Sequence, residues 1–172
     1  MANQTKNTAP NTNKNANAEP DFDSWSEEQI GFAPYWAPKE GEAFYGILQA
    51  RDERDPKFVR FLVMNLSSVP LKCHRGPVDN AEEVEVGKGA AFSVSVYYQL
   101  EEPFDFYLQA QEEMGIEVPM RVTALNKVDT RDGNEVWRFR LQIEPNAKKL
   151  LNEYKIKLNR ELSAKKPAEL EG

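Results

Sequence analysis

Residues 91–114 read AFSVSVYYQLEEPFDFYLQAQEEM, and two periodicities meet inside them. Phe92, Val94, Val96 and Tyr98 alternate with Ser93, Ser95 and Tyr97, the period-two pattern of a half-buried strand over 91–100. From Pro103 the alternation stops, and residues 103–114 read as a helix entered at the proline and ended by Gly115. The fold therefore turns on what flanks this strand-to-helix passage.

Upstream, residues 43–50 (AFYGILQA) form a first strand in which Gly46 is a candidate bulge or sharp bend. A charged turn, RDERDP, leads to a second strand over 57–65 (KFVRFLVMN). Val59, Phe61 and Val63 lie on one of its faces, and Phe58, Arg60, Leu62 and Met64 on the other. Residues 69–74 make a short strand, and turn signals in 75–89 (RGPVDNAEEVEVGKG) surround an edge strand over 83–86. Downstream, strands over 118–128 and 135–143 flank TRDGN, a hairpin turn around Asp132-Gly133. Trp137, Phe139, Leu141 and Ile143 share one face of the last strand, while Arg138, Arg140 and Gln142 share the other.

The ends differ from this β-rich centre. Six of the first eighteen residues are Asn and few are apolar, so 1–20 cannot offset the entropy of ordering and read as a disordered lead. Residues 21–41 interleave acids with Phe22, Trp25, Phe32, Tyr35 and Trp36, an acidic aromatic arm that Pro34 and Pro38 keep extended. Trp25, Tyr35 and Trp36 suggest a strap over an edge strand or a barrel opening, in preference to a DNA mimic. Residues 146–163 read as a basic amphipathic helix capped by Asn146. Its stripe is Leu151, Tyr154, Leu158 and Leu162, and Lys148, Lys149, Lys155, Lys157 and Arg160 fill the remainder. Residues 164–172 read as a frayed tail.

Composition excludes several classes of function. The chain has 172 residues, the length of one domain with tails, and a net charge of −6, which does not suit coating duplex DNA by bulk charge. One cysteine and one histidine exclude a disulfide framework and Cys- or His-rich metal centres. Cys73 and His74 are adjacent, so on a strand they point to opposite faces and cannot form an activated thiolate pair. No phosphate loop, dinucleotide fingerprint, zinc-protease or serine-hydrolase motif occurs, and the acidic runs at Glu82, Glu83, Glu85 and at Glu112, Glu113 lack a ligand pattern. The expectation is a non-enzyme without cofactor or metal. With neither a membrane-length apolar run nor a signal-like start, it is expected to be cytoplasmic.

With the insertion at 69–86 set aside, the element order is strand, strand, strand, helix, strand, strand. That order resembles the oligonucleotide/oligosaccharide-binding (OB) fold, a mainly β, five-stranded Greek-key barrel with a helix between strands three and four; the match covers residues 42–145. The acidic chain, polar ends and GNEVWRF hairpin are similar to small phage-type single-stranded-DNA-binding proteins. The resemblance implies non-sequence-specific binding of single strands in DNA replication or recombination. The mixed C-terminus, AKKPAELEG, departs from the acidic tail common in such proteins.

Charge follows the same division. Residues 41–78 carry six Lys/Arg and four Asp/Glu, and residues 118–172 carry twelve and eight, so both segments are net basic. Residues 79–117 carry one Lys and ten acids. In an OB barrel the loop and strand with Arg51, Arg54, Lys57, Phe58 and Arg60 line the ligand groove, with cations for phosphates and an aromatic for a base. Asp52, Glu53 and Asp55 could equally neutralise that loop. Lys127, Arg131, Arg138 and Arg140 of the last hairpin are candidate phosphate contacts, and Tyr97, among serines, a candidate stacking platform. Tyr45 is placed similarly, though its neighbour Ile47 argues for burial. The basic helix could pack on its own barrel or join a second copy. The other reading of the whole chain is an OB-like protein-interaction module, in a viral assembly or inhibiting a host factor, with the acidic 79–117 surface facing its partner.

Overall fold

Phe61 and Val63, at alternate positions of one strand, are fully buried, and around them the core assembles. The computed structural model describes residues 33–170 together with Pro20, Asp21 and Asp23, and the fold is that of the unit Phe32–Gly172. The Asn-rich lead, save Pro20, and Phe22, Trp25 and Phe32 of the aromatic arm lie outside the described residues. The elements are β1 (Ala43–Asp52), β2 (Arg60–Asn65), β3 (Leu71–Arg75), β4 (Glu82–Val86), β5 (Ala91–Ser95), α1 (Tyr98–Met114), β6 (Met120–Asp129), β7 (Glu135–Ile143) and α2 (Pro145–Leu170).

Five strands form one antiparallel sheet in the order β5-β2-β1-β6-β7, and β3 and β4 pair as a separate hairpin. β1 is the hinge of the sheet: Gly46 pairs with Asn65 of β2 and also with Met120 of β6. Gly46 is not the bulge. The register slips three residues later, between Leu48 and Ala50, and again in β6 between Ala124 and Asn126. What Gly46 provides is room, since a Cβ there would sit 2.6 Å from the Met64 carbonyl oxygen and 2.6 Å from Val63 Cγ1.

The expected barrel does not close as a hydrogen-bonded ladder, because β5 and β7 are not paired. The arm takes the free edge of β5 instead. Trp36 N–H donates to the Ser93 carbonyl, Ser93 N–H donates to the Pro34 carbonyl, and Tyr35 exchanges both backbone bonds with His74 of β3. The segment Pro34–Trp36 thus joins the five-stranded sheet to the β3–β4 hairpin, as a strap over an edge strand. Trp36 enters the core edge-on to Phe44. On the other side, the outer backbone of β7 meets the start of α1, where Phe139 N–H donates to Gln99 Oε1 at 3.1 Å.

The strand expected over 91–100 ends at Ser95, and the helix expected over 103–114 begins at Tyr98. Leu100 and Phe104 explain the shift: four residues apart, they are both buried as one helical stripe, and that contact outweighs continued alternation. Pro103 therefore sits inside α1 rather than at its entry, and Gly115 caps the helix in the left-handed conformation, as its sequence position suggests. Tyr98 changes sides as a result. It is 92% exposed where alternation placed it inward.

α2 begins at Pro145 and is capped by Glu144, not Asn146: the Glu144 carboxylate accepts the N–H groups of Asn146 and Ala147 at 3.1 and 2.8 Å. Ala147, Leu151 and Tyr154 bury against Ala110 of α1 and Val118, so this helix packs on its own domain. Leu162, expected on the same stripe, is exposed, and the helix continues to Leu170 through the expected tail. Among the described residues no helix is long and apolar enough to cross a membrane.

Candidate nucleic-acid interface

Strand β2 begins at Arg60, so the preceding residues, expected as strand from Lys57, form the end of a loop. Asp55 shapes that loop. Its side chain accepts Lys57 N–H at 3.0 Å and its carbonyl accepts Phe58 N–H at 3.0 Å, an Asp-Pro turn that holds the next two side chains outward. Phe58 is 61% exposed, which leaves most of a large apolar ring in solvent. The Arg60 guanidinium lies 6.0 Å from its centroid.

These residues wall one side of a groove of about 770 Å³. Arg60 and Ser95, partners across β2 and β5, form its floor with Tyr35 of the strap, and Gly76–Val78 form the far wall. Tyr35 stacks on His74 with ring centroids 5.9 Å apart. Lys57, Phe58 and Arg60 are thus gathered at one place, on the outer face of β2 and β5 beside the β1–β2 loop.

Arg51 and Arg54, from the same loop, are committed elsewhere. Arg51 donates to Glu53 at 2.7 Å, to Glu101 at 3.1 Å and to Asp105 at 2.8 Å, and its guanidinium lies 5.5 Å from the Phe61 centroid. The three carboxylates, Glu53 foremost, raise its already high pKa further. It ties β1 to α1 and does not present a free charge. Arg54 chelates Asp52 with bonds of 2.9 and 2.7 Å, and the same guanidinium and its backbone N–H hold the Asp52 carboxyl down to about 2. Arg54 is neutralised within the turn, and Arg51 by the turn's Glu53 together with Glu101 and Asp105 of α1.

Tyr97 does not lie on an open strand face among serines. With β5 ended at Ser95, Tyr97 occupies the N-cap position of α1 and turns inward, its ring 4.8 Å from that of Phe139. Burial raises its pKa, which a bond to Ser95 partly offsets. Cys73 is wholly buried and its thiol is pushed up to about 12 by desolvation, so it is a core residue.

The last hairpin divides its cations between two faces. Lys127 pairs in register with Trp137, with its ammonium 5.2 Å from the indole and 3.9 Å from Glu135. Arg138 and Arg140 lie on the opposite face beside Asn126 and Thr123. Arg131 is exposed at the turn. Sequence reading missed Arg121, which the register places on the Arg138/Arg140 face: it is opposite Gln142 in β7 and opposite Tyr45 in β1. The signal was present, because Met120, Val122 and Ala124 alternate inward and send Arg121 out.

Comparison of the chain with protein-family models, curated proteins and solved structures finds no match. The interface therefore rests on its own geometry. A larger groove, about 1030 Å³, lies between α1 and α2, where Tyr98, Glu101, Glu102 and Asp105 face Lys148 and Lys155. Its mixed charge, with Glu101 and Asp105 already bonded to Arg51, makes it a poor match for a polyanion.

Proposed function

We propose that this protein binds single-stranded DNA without sequence preference, in replication or recombination, and that its sheet is an OB-like Greek-key barrel. The strand order supports the fold reading. β6-β1-β2-β5 has three successive strands of the sheet with the fourth returned beside the first, the spatial order of a Greek key, and α1 precedes that fourth strand. The free edge of β5 takes the strap, and the free edge of β7 takes the Gln99 bond from the start of α1. OB barrels are partly open, and they bind their ligands on the face of strands two and three and the adjoining loop.

The observation that carries the function is Phe58, an exposed ring between Lys57 and Arg60 over a groove in that position. A base stacked on such a ring gains roughly 1–3 kcal/mol whatever its identity, because every base has a π-face. The two cations meet the backbone on either side. The other reading, a protein-docking module using the acidic 79–117 region, has three of that region's ten acids engaged internally. Glu101 and Asp105 hold Arg51, and Glu113 accepts a bond from Tyr154.

The test is anisotropy titration of labelled oligo-dT and a matched duplex, at low and moderate salt. Binding that favours the single strand and weakens steeply with salt is expected. An equal or stronger preference for duplex, or no binding at low salt, overturns the proposal.

A further inference from the structure

Tyr45 and Arg121 stand opposite each other across β1 and β6, on the outer face of the sheet half away from Phe58. Tyr45 is 44% exposed, although its neighbour Ile47 is buried. The next pair on this face of β6 and β7, Thr123 with Arg140, sets Arg140 diagonally beside Arg121, and Arg138 follows opposite Asn126. Three guanidiniums therefore share one face. Among the described residues none of the side chains of Arg121, Arg138 and Arg140 has a hydrogen-bond or ion-pair partner.

Beside the Tyr45 ring the surface is hollowed. A cleft of about 250 Å³ opens between Tyr45 and Arg121 on one side and Ser67 and Val69 on the other. Unpaired like charges on one strand face repel, and nothing in the core needs them there. An aromatic ring, an apolar wall and three unneutralised guanidiniums form the combination that takes a base on the ring and phosphates on the cations.

We infer that Tyr45, Arg121, Arg140 and Arg138 form a second nucleotide subsite, with a base against Tyr45 and the flanking phosphodiesters on the arginines. The inference rests on the single-strand reading and adds to it a contact point outside the Phe58 groove. The subsite is occupied either by the far end of a strand that also fills the groove or by a separate strand. Both present the same chemistry.

Photocrosslinking with 5-iodouracil-substituted oligo-dT tests this, with adducts mapped to peptides. An adduct on Tyr45 is expected in addition to adducts in the groove. If one strand spans both positions, the Tyr45 adduct appears only above a threshold oligonucleotide length; if two strands bind, short oligonucleotides give it too. Tyr45→Ala should weaken binding of a long oligo-dT about tenfold while Tyr45→Phe keeps it, since the ring and not the hydroxyl is required. Arg121→Gln should lower the slope of log affinity against log salt by about 0.7, the contribution of one single-strand phosphate contact. Adducts confined to the groove, with Tyr45→Ala and Arg121→Gln binding as wild type, overturn the subsite while leaving the Phe58 groove standing. A wild-type protein that binds no single strand removes both.

Discussion

Arg51 and Asp105, fifty-four residues apart, meet where β1 passes α1: Arg51 Nη1 donates to both carboxylate oxygens, at 2.8 and 3.1 Å. The same guanidinium reaches Glu101 one helical turn earlier, so a single cation neutralises two like charges on one face of α1. Arg51→Ala leaves Glu101 and Asp105 facing each other and strips the cation from Phe61. Because the group is partly exposed, the expected loss is modest, about 1 kcal/mol, or a few degrees in Tm. Oligo-dT affinity should be unchanged. A variant with wild-type stability and weakened DNA binding would return Arg51 to the interface.

Gly46 is where β1 changes partners, and its hydrogen occupies a space that no side chain can enter. Both the Met64 carbonyl oxygen and Val63 Cγ1 would lie 2.6 Å from a new Cβ, and one of them is backbone that cannot rotate away. Gly46→Ala should cost about 3 kcal/mol, at the upper end for overpacking. Gly87→Ala is the control, since a Cβ there meets nothing within 4 Å. Urea unfolding of the two variants should separate them clearly, and near-equal midpoints would contradict this account of β1.

Tyr154 closes the contact between α2 and α1 by donating its hydroxyl to the Glu113 carboxylate. Burial foremost, and then this bond, pushes the Tyr154 pKa up to about 12, and the same bond lowers that of Glu113. A group whose folded pKa is raised contributes stability below its unfolded pKa, about 10 for tyrosine, and loses it as pH climbs to the folded value. Stability should therefore decline between about pH 10 and pH 12. Tyr154→Phe should be less stable at neutral pH by about 1–2 kcal/mol, with a shallower decline in that window. The decline persists in part, because burial raises Tyr97 and Tyr107 as well. Equal alkaline slopes in wild type and variant would contradict the assignment.

The strands were legible because one face of each packs toward the core, and alternation records that directly, as in the buried Phe61 and Val63 or the partly buried Trp137 and Phe139. What escaped was whatever depends on a partner distant in sequence. Nothing near Ser95 marks the strand's end, because the helical start is decided by Leu100 and Phe104 reaching the core. Tyr97 and Tyr98 exchange roles for that reason alone. Arg51 looked like a phosphate ligand because the carboxylates that hold it, Glu101 and Asp105, arrive with α1. Arg54 was ambiguous locally, and the local partner, Asp52, is the one it took. The strap was visible as too many aromatics for a linker, but not that it would occupy the edge of β5 where a closing strand would pair.

The contrast between Phe58 and Tyr97 separates an interface aromatic from a packing aromatic. Phe58 makes little contact with the core, being 61% exposed on a loop fixed by Asp55, so Phe58→Ala should leave Tm within about a degree. If a base stacks on it, the same change should weaken oligo-dT binding by about 5- to 150-fold, corresponding to the roughly 1–3 kcal/mol of one stacked base. Tyr97 predicts the reverse. Its ring packs against Phe139 at the seam between the end of β5 and β7, and Tyr97→Ala should cost about 2–3 kcal/mol of stability. With folded protein still in excess, its oligo-dT affinity should remain near wild type. Thermal melts and anisotropy titrations on the two variants give four values, and only the crossed pattern agrees with Phe58 at the surface of a binding groove. Loss of affinity in Tyr97→Ala with none in Phe58→Ala would move the stacking position to the β5–α1 junction and away from the β1–β2 loop.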